Sequence, residues 1–180
     1  MDTKIQIQAG DVFSVYTPFK FKRPMSWLSS LIRVITKDKY SHSAIAVEIW
    51  GRIFICEALA KGIVMKPIEE WPQGDMIAVS RPNFSFDKKA FNIKALSKVG
   101  NTGYDYSSLI FYQLIYQITG KWMGWTSATV RATNKFYCSE FVGWLYDSIF
   151  PDWYKTKPEN IYDDKRSFII IYEGKDDMIC

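Results

Sequence analysis

A thiol, an imidazole and a carboxylate are the side chains from which an acyl-transferring site can be assembled. This sequence contains a single histidine, His42, so any cysteine–histidine chemistry must use it. Among the three cysteines, Cys56, Cys138 and Cys180, the second stands in the stretch FYCSEFVGWLYDSIF, residues 136–150. There Phe141, Val142, Leu145, Tyr146 and Ile149 recur at helical spacing. Thr133 and Asn134 just upstream are suitable caps, which places Cys138 in or near the first turn. Unpaired N–H groups and the positive dipole end at a helix start favour an anion, so a thiol in that place is expected to be partly thiolate. The plainer reading is a small buried hydrophobe. What weighs against it is the rest of the chain.

His42 and Glu57 are brought together by a hairpin. In YSHSAIAVEIWGRIFICEALAKGIV, residues 40–64, two apolar runs flank Trp50-Gly51, a two-residue turn with glycine second. With that turn, Ile49 pairs with Arg52 and Ala44 with Glu57. Side chains alternate across a strand, so His42 and Glu57 share a face as diagonal neighbours about 7 Å apart between backbones. A carboxylate within reach of an imidazole fixes its tautomer and stabilises the imidazolium. Glu57 also lies in the apolar run IFICEAL, where an unpartnered carboxylate is costly to bury. By the same parity Cys56 faces the other way and reads as structural. The plainer alternatives are a histidine that merely caps or packs and a carboxylate on a solvated rim.

The elements that must position these residues follow from pattern and punctuation. Gly10-Asp11 opens a strand at Val12–Tyr16, and Pro24 begins a helix running to about Thr36. The hairpin strands are expected at about Ser41–Ile49 and Arg52–Leu59, with a shorter strand at Gly62–Lys66 and another in MIAVSRP. Residues 69–72 read as a connector. A helix is expected over Phe86–Val99, stopped by Gly100, and an aromatic helix over Ser107–Thr119. Gly120–Asn134 and Pro151–Lys165 read as loop. The unbroken apolar run in SFIIIYE suits a central strand. A mostly antiparallel set of strands with helices before, within and after them indicates an α+β fold in one domain, residues 1–180.

Composition excludes several classes. Hydrophobic content of 48% and charged content of 23% are those of a soluble globular chain. The net charge of +4 is mild and scattered, so no nucleic-acid partner is expected. Widely spaced cysteines in odd number argue against a disulfide framework and against a metal site, and no cofactor is expected. The opening MDTKIQIQAGD holds no apolar leader and no stretch is long enough to span a bilayer, so a cytoplasmic location is expected. Aromatic residues, at 17%, are abundant enough to suggest an apolar groove or a peripheral membrane contact as well as core packing. Oligomeric state is not legible.

YSHSAIAVE, then ICEALAKGIV, then FYCSEFV resemble the permuted papain-like cysteine hydrolases, the YiiX/YebB-like branch of the NlpC-type amidases and peptidases. The order His, Glu, Cys is that of the permuted branch, and the GDVF opening and the GYDY element extend the resemblance over most of the chain. It implies a small antiparallel sheet or half-barrel packed against the cysteine helix, with Cys138 as nucleophile, His42 as base and Glu57 as orienting acid. The implied activity is hydrolysis of an amide (a peptide, or an amidated or acylated amino acid) through an acyl-enzyme. The alternatives are a lipid thiol-acyltransferase or esterase of the lecithin retinol acyltransferase type, or a binding module using the same groove. The backbone N–H of Cys138 is the natural oxyanion donor, with Tyr40 or Tyr104 as a second. Ser41 and Tyr137, beside His42 and Cys138 in sequence, are further groove candidates. The aromatic segment from Tyr104 to Trp125 is expected to shape the substrate groove.

Overall fold

In the computed structural model, residues 5–16, 38–71, 76–105, 115, 119–121 and 134–175 are described. Six strands form one antiparallel sheet: β1 (Val12–Tyr16), β2 (His42–Ile49), β3 (Arg52–Leu59), β4 (Gly62–Pro67), β5 (Met76–Pro82) and β8 (Phe168–Lys175). Across the sheet they run β4-β3-β2-β1-β5-β8. A two-residue parallel pair, β6 (Gly103–Tyr104) with β7 (Lys135–Phe136), lies outside it. Among the described residues, the fully traced α-helices are α1 (Lys88–Leu96), α2 (Cys138–Leu145) and α3 (Pro158–Asp163). The architecture is α+β. No helix among the described residues is long and apolar enough to cross a membrane.

The hairpin has the expected register, from Ile49↔Arg52 to Ala44↔Glu57. Its turn requires positive φ at both central positions, and Trp50 (φ 49) and Gly51 (φ 76) supply it. Trp50 is an uncommon occupant of that conformation and is 99% exposed.

Alternation along the strands divides the core in two. Val12, Ile45, Cys56 and Ile63 face one way and pack with Phe91 and Ala95 of α1 and Phe141, Val142 and Leu145 of α2. Phe13, Val15, Ala44, Ile55, Ile77 and Val79 face the other and gather Ile68 and Trp71 from the turn after β4. Each fully buried Phe or Val of the helix stabilises by about 1.5–3 kcal/mol. Two glycines permit close approaches around α2. A Cβ on Gly143 would lie 2.7 Å from Thr156 Oγ1, so glycine lets the 153–156 segment close on the helix. A Cβ on Gly10, at φ +94, would meet Phe86 at 2.4 Å, and the Gly10 carbonyl accepts the Tyr146 hydroxyl at 2.6 Å.

Four sequence expectations are corrected. The cysteine helix begins at Cys138 with Tyr137 as its cap, rather than Thr133 or Asn134; residue 133 is outside the described residues and Asn134 lies in a left-handed turn at φ 53. Pairing of Phe136 with Tyr104 keeps residues 135–136 extended and delays the helix start. The helix ends at Leu145, with Tyr146 as cap, so Ile149 is not part of it. β8 is an edge strand, not a central one: its apolar run is half-covered, and Ile169 is 53% exposed. The 151–165 segment is not all loop, because Pro158, preset for a first helical position, opens α3. The expected Pro24–Thr36 helix and nearly all of the aromatic helix lie outside the described residues.

Candidate active site

The first turn of α2 is fixed from several sides. Tyr137 donates its hydroxyl to Tyr154 O at 3.2 Å, and Ser139 Oγ donates to Thr156 O at 2.7 Å. Glu140 Oε2 accepts the Tyr137 backbone N–H at 3.1 Å, half of a capping box. At the far end Lys94 Nζ donates to Trp144 O at 2.7 Å, complementing the negative end of the helix dipole. Cys138 therefore sits on a helix with little freedom to shift, and it is 1% exposed.

Facing it is the start of β2. The β2–β3 pairing stops at Ala44↔Glu57, so the edge of β2 at Ser43 is left open on that side. The Ser43 backbone N–H and that of Ser139 both donate to the Cys138 sulfur. His42, the first residue of β2, hydrogen-bonds Glu57 Oε2 through Nε2 at 2.8 Å. Its ring also hydrogen-bonds Cys138, and with Nε2 on Glu57 the nitrogen left for the thiol is Nδ1.

These contacts decide the charges. Burial opposes a charge on His42, but the Cys138 sulfur and then Glu57 overcome it, and the imidazolium is held up to about pKa 10. Burial opposes the Cys138 thiolate too, yet the His42 charge and hydrogen bond and the two backbone N–H groups bring its pKa below the ordinary thiol value. For Glu57, burial is outweighed by His42, with help from Lys66 and a hydrogen bond from Trp71, so its pKa is lowered. The arrangement is a thiol of lowered pKa beside an imidazole of raised pKa, backed by a carboxylate. It can deliver a nucleophile and then a proton to the same small region. His42 keeps 19% of its side chain exposed, against 6% for Glu57.

The sequence-predicted residues divide cleanly. Cys138, His42 and Glu57 come together. Tyr40 does not join them through its hydroxyl: that group donates to Glu173 Oε1 at 3.1 Å, and burial followed by Glu173 pushes its pKa up. Ser41 is buried, its N–H on Val15 O at 3.0 Å, and its hydroxyl has no hydrogen-bond partner among the described residues. Tyr104 packs half-buried beside Phe136, and Tyr137 serves as the helix cap. Cys56 is fully buried on the helix-facing side of the sheet, and its thiol pKa is pushed up to about 12 by burial.

No family model and no curated protein matches the sequence. Among solved structures, the chain is similar to the crystal structure of the metalloprotein YiiX from Escherichia coli O157:H7. The TM-score is 0.54 and the identity 16%, over 94% of this chain and 98% of that one. The fold is YiiX-like. Within this YiiX-like fold, sequence reasoning missed Ser43, Ser139, Trp71 and Glu140. The first two act through backbone N–H groups, which carry no sequence signature. Trp71 reaches Glu57 from the turn after β4, a tertiary contact. Glu140 left one legible signal, a glutamate at the third helical position, obscured by a tyrosine where a serine or threonine cap is usual.

Proposed function

We propose that this protein is a cysteine hydrolase of the permuted papain-like type, acting on an amide or ester through an acyl-enzyme. One observation carries the reading: the chain's only histidine lies between a buried carboxylate, at 2.8 Å, and a buried thiol whose pKa is lowered. The Cys138 sulfur attacks the substrate carbonyl carbon, forming the C–S bond, and the carbonyl π electrons move to oxygen. The Cys138 backbone N–H, at the helix start, supports that oxyanion. Collapse breaks the bond to the leaving group, which takes the His42 proton. Water, deprotonated by His42, then attacks the thioester, and the acid and the thiol are released. Glu57 remains ionised throughout and orients the ring.

YiiX itself is described as a metalloprotein. Among the described residues here, no group of three or more His, Cys, Asp or Glu side chains is arranged to hold a metal. Both imidazole nitrogens are engaged by Glu57 and Cys138, so these residues do not fit a metal site. The lipid acyltransferase alternative rests on the aromatic segment, nearly all of it outside the described residues. Activated esters and amides of increasing acyl length, offered with and without an amine acceptor, test both readings. The expected result is an acyl adduct on Cys138 seen by intact-mass spectrometry, discharged to water and absent in Cys138→Ala. No adduct at Cys138 across the panel overturns the hydrolase. Discharge to the acceptor, with rates rising steeply in chain length at about 0.8 kcal/mol per methylene, favours the acyltransferase.

A further inference from the structure

Glu140 lies on the same helical turn as Cys138 and is wholly buried. Oε2 is taken by the Tyr137 N–H, but Oε1 meets no hydrogen-bond partner among the described residues. A carboxylate oxygen removed from water without a donor is costly. Two further groups bear on the same carboxyl. Asp105, just after β6, is also buried and is tied to this place by its N–H on Phe136 O at 3.2 Å. The other is the Cys138 sulfur. Burial first, then the charges of Asp105 and Cys138, hold Glu140 well above the usual carboxylate range, and the Tyr137 N–H only partly opposes them.

We propose that Glu140 is a positioning residue that keeps its proton while Cys138 is a thiolate, capping the first turn of α2 as a neutral acid. Oε2 can accept the Tyr137 N–H in either protonation state. Only the neutral form anchors the turn without adding a negative charge beside the nucleophile. The thiolate is then left to His42 and to the N–H groups of Ser43 and Ser139. The inference rests on reading Cys138 as an activated thiol.

The test is the rate of iodoacetamide alkylation at Cys138 against pH, read by peptide mass spectrometry in wild type, His42→Ala, Glu140→Gln and Glu140→Ala. Identical profiles for wild type and His42→Ala sink the activated thiol itself, whatever Glu140 does. With that difference present, Glu140→Gln, an isostere of the neutral acid, leaves the midpoint where it is. If Glu140 is ionised in the native protein, the same change removes a neighbouring negative charge. The midpoint then falls by about one pH unit, about tenfold more thiolate on the acid limb, and the proposal is overturned. Infrared difference spectra give a second readout: a protonated-carboxyl C=O stretch in wild type that Glu140→Gln removes, its absence in wild type counting against the proposal. Glu140→Ala leaves the Tyr137 N–H buried without its acceptor and melts below Glu140→Gln, or fails to fold where Glu140→Gln folds. Equal melting of the two overturns the anchoring role.

Discussion

Arg81 and Asp11, from β5 and the turn before β1, form an ion pair at 2.7 Å, close in length to the 2.8 Å pair of His42 and Glu57. In each, one carboxylate is almost wholly buried and its partner keeps some exposure. Their surroundings differ. Asp11 accepts Arg81 through both oxygens, Nε at 2.8 Å and Nη2 at 2.7 Å, and the Gln8 N–H at 2.8 Å as well. Arg81 Nη2 spans on to Gln6 O at 2.8 Å. This is a forked pair that ties the N-terminal segment to β5. At the other site the imidazole is divided between Glu57 and a thiol, and Glu140 Oε1, on the same helical turn as that thiol, meets no partner among the described residues. The first pair closes a forked set of hydrogen bonds, whereas the second shares its ring with a thiol whose pKa is lowered.

The contrast breaks most visibly at His42. His42→Ala should lower kcat/KM on the order of 10²–10⁴-fold while leaving the fold intact, since removing the ring leaves Glu57 with Trp71 and the Lys66 charge. The pH profile carries the sign. In wild type, alkylation of Cys138 should rise with a midpoint below the ordinary thiol value, because the imidazolium favours the thiolate. Turnover should fall again as pH passes about 10, where His42 loses the proton it must deliver to the leaving group. In His42→Ala the alkylation midpoint should move up. An unmoved midpoint would mean that the thiol gains nothing from the ring.

Arg81→Ala should do the reverse. It strands Asp11 buried and unpaired, for an expected loss of about 3–5 kcal/mol in chemical denaturation. The alkylation midpoint of Cys138 in the molecules that stay folded should not change. A shifted midpoint would show that the two pairs are coupled, and the division between them would fall. The smallest effect is expected at the hairpin tip, which carries His42 and Glu57 on its strands but touches neither. Trp50→Asn keeps the positive φ with a residue that tolerates it better, and should raise stability by about 0.4–1 kcal/mol with turnover unchanged. A loss of turnover would give Trp50 a part in the reaction.

Sequence alone determined the hairpin. Trp50-Gly51 can close only a tight turn, the period of two leaves one register that buries the apolar face, and His42 and Glu57 then have to be diagonal neighbours. The solitary histidine likewise left a single imidazole that could stand beside Cys138. Those are local rules, acting over a few residues or by elimination. Tertiary structure decided the remainder. The apolar run of β8 reads alike for a central and an edge strand, and only its pairing with β5 alone makes it an edge. The helix start moved to Cys138 because β7 pairs with β6, a contact between segments far apart in the chain. Tyr40 is adjacent to the site in sequence, yet its hydroxyl is bonded to Glu173 of β8. Glu140 took its character from burial and from Asp105, neither of which a helical pattern contains. Propensity and periodicity are properties of neighbours along the chain. The state of a buried charge depends on what distant segments bring beside it, and that is settled only when the sheet and the cysteine helix close together.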